Sequence, residues 1–319
     1  MDKKIGKKIL WTHNFKNEPG AGGVWMFNQY EYLKDDVDLY YLDRLRNPFQ
    51  FIKHFFALRK LSKNYDIIHA QYGSAVGFLT SYTKPIKILS LKGSDWYKAP
   101  NPSILHKIRI LVGGIFTKWS IKKFDHVIVM SNKMKNLVLQ QHPDKQVETI
   151  VDPIDLKRFP EQKEFEKEKN IVKKVLFASV NKNNPIKRFD LAKESFDILN
   201  IDFPNTEFVV MSNIAHEQVC DFMKSMDVLL LTSTHEGWPN VVKEMLALNK
   251  PFVSTDVSDL ANIANQTKSC FVCNDDPIEL SEALKKSLLA PKEDLRRFVL
   301  NFSMDNSISS YKRIYNKYL

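Results

Sequence analysis

The stretch Ser233-Thr234-His235-Glu236-Gly237-Trp238-Pro239-Asn240-Val241-Val242-Lys243-Glu244 joins the end of an apolar strand to the start of a helix. The strand, Asp227-Val228-Leu229-Leu230-Leu231-Thr232, is a short apolar run of the kind buried on both faces of a parallel sheet. Gly237 loosens the turn, and Pro239 is expected at the first helical position, with φ preset and no orphan N–H. Val241, Val242, Met245 and Leu246 continue the helix. Two carboxylates, Glu236 and Glu244, bracket the turn eight residues apart. In an open α/β sheet, ligands bind beyond the carboxyl ends of the strands, where loops hand over to helix N-termini. The stretch therefore reads as one wall of a ligand site, although the spacing alone equally suits an ordinary strand–turn–helix unit.

Outward from this stretch the alternation of strand and helix recurs. Before it, Val175-Leu176-Phe177-Ala178-Ser179-Val180 reads as a strand and residues 181–188 as a polar loop. A helix over 189–199, the strand Phe208-Val209-Val210-Met211 and a helix over 216–224 complete the approach. After it come strands at Pro251-Phe252-Val253-Ser254-Thr255 and around Phe271, then closing helices over 277–289 and 295–318.

The first half repeats the pattern. Lys8-Ile9-Leu10-Trp11-Thr12-His13 is a strand, followed by a loop with Pro19-Gly20-Ala21-Gly22-Gly23 and a helix over 24–33. Bare amides at such a helix start can cradle a phosphate. The glycines lie too far past the strand for a dinucleotide fingerprint. Asp43, closing Val37-Asp38-Leu39-Tyr40-Tyr41-Leu42, nevertheless stands about where a ribose-binding acid would. Strands at 66–70, 86–91 and 126–130 alternate with helices at 49–63, 73–81, 104–124 and from 133 onward. Lys92-Gly93-Ser94-Asp95 is a second strand-end loop with polar groups. The expected fold is α/β: two Rossmann-like, doubly wound parallel-sheet domains facing a cleft. Pro153, Pro160 and the charge run over 161–169 mark the boundary, giving domains 1–160 and 161–319.

Composition narrows the class. A hydrophobic fraction of 44% with 26% charged residues suits sizeable cores and argues against disorder. No apolar run is long enough to span a bilayer, and the apolar stretch after the basic N-terminus is too short for a signal peptide. A cytoplasmic protein is expected. The three cysteines do not describe a disulfide framework, and Cys270-Phe271-Val272-Cys273 reads as a structural strand without a second metal-ligating pair. Charge is uneven: residues 1–150 hold 24 of the 47 Lys and Arg but only 12 of the 37 Asp and Glu. That half is therefore expected to meet an anionic partner.

The second half resembles the retaining glycosyltransferases of family 4, which have the GT-B architecture. The resemblance rests on Asn183-Asn184-Pro185-Ile186-Lys187-Arg188-Phe189-Asp190-Leu191-Ala192, on the His235–Glu244 core, and on Pro251-Phe252-Val253-Ser254-Thr255-Asp256-Val257. Asp152-Pro153-Ile154-Asp155-Leu156-Lys157-Arg158-Phe159 resembles the interdomain segment, and residues 304–319 resemble a final helix that packs back on the first domain. The first half matches more loosely. The resemblance implies transfer of a hexose-type sugar from a nucleotide-diphosphate donor, a UDP-sugar foremost, to a hydroxyl acceptor. Bacterial surface polysaccharide or glycolipid assembly is the implied setting. Lys187 would neutralise the donor diphosphate, Glu236 would orient the donor sugar, and Glu244 would accept hydrogen bonds from the ribose. Gly22 and Gly23 would close over the phosphates. Gly237, Trp238, Pro239, Asn240 and Val241 would line the donor site.

Two departures stand out. The family's arginine before the phosphate-loop lysine is replaced by Ser179-Val180-Asn181, so Lys182 or Arg188 would supply the second cation. Lys92 stands where the family often has a histidine; with Asp95 and His13 it is a candidate for the acceptor or phosphate side. No cofactor and no metal are expected: the nucleotide-sugar is a substrate, and Asp36-Val37-Asp38 precedes a strand instead of ending one. The expected partners are that donor, a lipid-linked or glycan acceptor, and an anionic membrane surface met peripherally through the basic segments 49–63 and 104–124; no nucleic acid is expected. A sugar-nucleotide epimerase of the same architecture and a non-catalytic partner subunit are the alternatives, with an oxidoreductase using Gly20–Gly23 and Asp43 more distant.

Overall fold

The computed structural model describes residues 8–18, 23–97, 104–160, 172–212, 214, 215 and 217–319. The expected charge run over 161–169 and the glycines before Gly23 lie outside them. The chain forms two units: the first holds the described residues up to Pro153 together with Met304–Leu319, the second Ile154–Ser303.

In the first unit, β1 (Ile9–His13), α1 (Val24–Glu31), β2 (Val37–Tyr41), α2 (Pro48–Leu61), β3 (Ile67–Ala70), α3 (Ser74–Thr80), β4 (Ile86–Ser90), α4 (Ile104–Ile121), β5 (His126–Val129), α5 (Asn132–Gln141) and β6 (Val147–Thr149) alternate. The strands pair in parallel in the order β2-β1-β3-β4-β5-β6. β1, β3 and β5 are buried throughout, which is why their sequences are nearly continuous apolar runs. β6 escapes a pattern search because it is short and carries Glu148, which pairs with Arg313.

The second unit runs β7 (Lys173–Ala178), α6 (Phe189–Asp202), β8 (Thr206–Met211), α7 (Val219–Lys224), β9 (Val228–Leu231), α8 (Asn240–Ala247), β10 (Phe252–Thr255), α9 (Leu260–Ala264), β11 (Phe271–Cys273) and α10 (Pro277–Leu289). Its parallel order is β11-β10-β9-β7-β8. Cys270 and Cys273 are free and buried, and burial pushes both thiols up to about 11.

Two boundaries differ from expectation. Residues 154–160, assigned above to the first domain, pack in the second unit: the Ile154 N–H donates to the Phe302 carbonyl at 2.8 Å, and Arg296 donates to the carbonyls of Phe159 and Leu156. The closing helix is also not continuous. Two 3-10 turns, Arg296–Phe298 and Leu300–Phe302, stop at Ser303, whose backbone is extended (φ −67, ψ 157). α11 (Met304–Asn316) then begins as the chain returns to the first unit. There Trp11 Nε1 donates to the Tyr315 hydroxyl at 2.8 Å, and that hydroxyl meets His69 Nδ1 at 2.7 Å. His69 Nε2 in turn lies 2.8 Å from Ser90 Oγ, so both ring nitrogens are engaged. Burial holds its pKa well below the ordinary value, so the chain of bonds is neutral.

Candidate active site

In the second unit, β7 lies between β8 and β9, so the strand order reverses between β7 and β9. That reversal is the topological switch point, where open α/β sheets bind ligands. The loops leaving these two strands are the lysine-bearing loop over 179–188 and the glutamate-bearing loop over 232–239. They are laced together. The Thr234 N–H donates to the Ile186 carbonyl at 2.9 Å, and Thr232 Oγ donates to the Lys187 carbonyl at 2.7 Å.

Arg188 is the staple of this lacing. Its Nε donates to the Thr232 carbonyl at 2.6 Å, its Nη2 to the Ser233 carbonyl at 3.2 Å, and both Nη atoms engage Asp275. It sits at the start of α6 with a left-handed backbone (φ 50). In this structure the guanidinium expected at the donor phosphates is engaged by the loop and by Asp275. Lys182 is exposed, with its ammonium 6.0 Å from the Phe189 ring centroid, and remains the candidate second cation.

Lys187 Nζ lies 2.5 Å from Glu236 Oε1, and Ser233 Oγ donates to the same oxygen at 2.7 Å. Glu236 Oε2 accepts nothing from the described residues. His235 beside it bonds Thr234 Oγ1 at 3.0 Å, and burial lowers its pKa, keeping it neutral at pH 7. Pro239 is the cap and not the first helical residue: its backbone is extended (φ −70, ψ 120) and α8 starts at Asn240. No side chain caps α8 or α6, so both helices begin with unsatisfied N–H groups at the switch point. Gly237 is buried, and its carbonyl accepts from Ser258 at 2.7 Å. Asn240 is exposed and Val241 half-buried. Trp238, expected in the sugar pocket, is instead buried against Phe302, with ring centroids 5.0 Å apart.

Glu244, one turn into α8, differs from Glu236. Its carboxyl accepts no hydrogen bond from the described residues. Burial raises its pKa, against weaker opposing attractions from Lys243 and Arg158. A poorly solvated carboxylate with no donor is a costly group unless something outside the protein completes it.

In the first unit the candidates divide. Lys92 is buried, with Nζ 2.6 Å from Asp152 Oδ1 and 3.6 Å from the Trp25 ring centroid. Asp95 is buried too and accepts from the N–H groups of Gly73, Lys92 and Gly93. In this structure Lys92 is thus paired with Asp152, and Asp95 ties the loop after β4 to Gly73. Gly22 lies outside the described residues. Gly23 has φ +96, and a Cβ there would stand 2.4 Å from Phe15, so only glycine fits. His13 ends β1 buried, its Nδ1 without a hydrogen-bond partner among the described residues, and burial lowers its pKa to about 4. Asp43, the possible ribose acid, bonds Arg44 and His54 instead. Among the described residues no group of three or more His, Cys, Asp or Glu could hold a metal ion.

Sequence reasoning missed Ser233 and Asp275. Ser233 stands three residues before Glu236, close enough in sequence for its hydroxyl to reach that carboxylate across the turn. Asp275 reaches Arg188 from 87 residues away and left no local signal.

Two doubly wound parallel-sheet units, one with an electropositive switch point beside two glutamates, define the GT-B class of glycosyltransferases. Residues 175–289 match the family model Glycosyl transferases group 1, and residues 28–131 match Glycosyl transferase 4-like. The chain belongs to glycosyltransferase family 4. TuaC of Bacillus subtilis (strain 168), named as a teichuronic acid biosynthesis glycosyltransferase, is 30% identical over 78 residues. That match covers 24% of this chain and 20% of TuaC. The fold is also that of sucrose-phosphate synthase from Thermosynechococcus elongatus, with a TM-score of 0.71, 14% identity, and 97% of this chain and 98% of that one covered. HepE of Anabaena in complex with UDP and glucose gives a TM-score of 0.68 at 12% identity, covering 97% and 99%.

Proposed function

We propose that this chain is a retaining glycosyltransferase that moves a hexose-type sugar from a nucleoside diphosphate donor, a UDP-sugar foremost, to a hydroxyl on a glycan or lipid-linked acceptor. The observation that carries the reading is the poorly solvated carboxylate of Glu244 on α8, with no hydrogen-bond donor among the described residues, together with the Lys187–Glu236 pair at the switch point. A ribose diol supplies the two O–H donors that Glu244 lacks. Lys187, Lys182 and the uncapped starts of α6 and α8 set positive potential where a departing diphosphate gains charge, which lowers the barrier to its departure. Glu236 Oε2 is left to orient the donor sugar. No metal is needed for this role.

No side chain in the described site is placed as an enzymic nucleophile in this reading. The acceptor oxygen attacks the anomeric carbon on the face the diphosphate leaves. The carbon–oxygen bond to phosphate breaks as the new one forms, and the acceptor's proton passes to the departing phosphate oxygen. The UDP and glucose held by HepE support the donor class, and TuaC's name supports a surface polysaccharide setting.

Thermal unfolding with UDP, GDP and ADP tests the first step. Saturating UDP at a hundredfold excess over its dissociation constant should add about 2.7 kcal/mol, a rise of roughly 5–10 °C. Glu236→Ala should lower turnover about a hundredfold with the UDP shift kept. No nucleoside diphosphate shifting the transition, or full turnover in Glu236→Ala, would sink the reading. Nuclear magnetic resonance of the product reads the anomeric configuration, and inversion would refute retention.

A further inference from the structure

The first unit leaves apolar side chains in solvent on two helices. On α2, Phe49 (84% exposed), Ile52 (55%) and Phe56 (65%) recur at helical spacing. On α4, Ile108, Leu111, Ile115 and Trp119 do the same. Such spacing places each set along one face of its helix. The stripes share a joint. Phe51 of α2 lies 6.2 Å from Phe116 of α4, and both rings contact Phe78 of α3. Ile52 and Ile115 are the chain neighbours of these touching rings, so the exposed side chains spread from one contact.

The two helices themselves carry charge of one sign in sequence. The sequences of α2 and α4 contain six Lys and Arg and no Asp or Glu. Lys63, Lys122 and Lys123 follow directly. Lys123 Nζ sits 3.7 Å from the Tyr82 ring centroid and 3.9 Å from that of Trp119. Aromatic rings with cations beside them match the boundary between lipid headgroups and acyl chains. A contiguous exposed apolar face marks a docking surface. A second copy of this chain would bring two basic faces together, and like charges would oppose it. An anionic bilayer offers apolar depth and opposite charge at once. No helix among the described residues is long and apolar enough to cross a membrane, so the contact is with the surface.

We propose that α2 and α4 form a docking face for anionic lipid bilayers. The inference goes beyond sugar transfer and does not depend on it. The test is flotation of the full chain with phosphatidylglycerol–phosphatidylcholine vesicles against phosphatidylcholine alone, at low salt. Partition should be at least about tenfold higher on the anionic vesicles. Lys53→Gln with Lys60→Gln and Lys63→Gln should lower it about a hundredfold. Phe49→Ser with Phe56→Ser should lower it about tenfold or more, since both rings are solvent-exposed and their loss spares the core. Equal partition on both vesicles, or indifference to both variants, overturns the proposal. So does a dimer in sedimentation velocity that Phe56→Ser dissociates while vesicles bind nothing. Each variant's thermal shift with UDP is measured in parallel: a chain that floats but ignores UDP retains this face and loses the transfer reading.

Discussion

Replacing Glu244 by glutamine should make the unliganded protein more stable and the nucleotide complex weaker. Glu244→Gln keeps the side chain's shape and removes its charge. In the folded chain the carboxyl's pKa is raised, because burial outweighs the pull of Lys243 and Arg158. Ionisation is thus harder in the folded chain than in the unfolded one, and removing the charge relieves the fold. Relief of a poorly solvated, unbonded group is worth on the order of 1 kcal/mol, or about 2–4 °C in a chain of this size. The complex moves the other way. Two ribose hydroxyls donating to a carboxylate form charge-assisted bonds of about 1.5–3 kcal/mol each; with an amide they are neutral bonds of about 1 kcal/mol. The net loss of about 2–3 kcal/mol weakens UDP about 30- to 150-fold. Thermal unfolding without ligand and calorimetric titration with UDP read the two effects separately. A variant that melts below the parent and binds UDP as tightly would show Glu244 to be a structural carboxylate and refute the reasoning.

Two further outcomes follow from the same geometry. Arg188→Gln should cost about 1–3 kcal/mol in urea unfolding, because the buried Thr232 carbonyl loses its donor while the Ser233 carbonyl keeps that of Thr255; Asp275→Asn should cost under about 1 kcal/mol, since Asp275 is 63% exposed, and equal losses would assign the staple to the ion pair instead. His13 has its pKa lowered from 6.5 to about 4, so its stabilising neutrality is complete above pH 6.5 and is lost as pH falls toward 4; His13→Gln should remove about 2 kcal/mol of the stability change between pH 7 and pH 5, and parallel pH profiles for parent and variant would contradict the buried neutral ring.

The strands were legible because parallel strands buried on both faces must be apolar throughout. Val228–Leu231 and Ile67–Ala70 announce themselves without any partner in view. The handovers after β7 and β9 were legible for a related reason: the apolar run stops where the strand leaves the sheet, and a polar stretch follows before the next helical pattern. What stayed hidden was set by partners distant in sequence. Lys92 and Lys187 are both lysines just past a strand. Only the fold shows that Asp152 and Trp25 bury the first, while the second keeps 23% of its side chain exposed at the switch point. Trp238 looked like a pocket wall until Phe302 covered it. The break at Ser303 was hidden too, because the helical pattern on either side is continuous while the chain changes units there.

The two glutamates of the opening stretch show where spacing stops informing and environment begins. Both are a half-buried Glu near the start of α8, yet among the described residues one has two side-chain donors and the other none. In the proposed reading this difference orders events at the site. Lys187 and Glu236 neutralise each other while the site is empty, so neither exposes an unmatched charge. A diphosphate carries more negative charge than one carboxylate and also meets the N–H groups of α6 and α8, so it outcompetes Glu236 for the ammonium. Glu236 then keeps Ser233 as its donor, and its carboxylate turns from partnering Lys187 to holding the sugar. Glu244 has no hydrogen-bond donor among the described residues to give up. Its affinity for a diol is therefore available at first contact, and it anchors the nucleoside before the lysine changes hands.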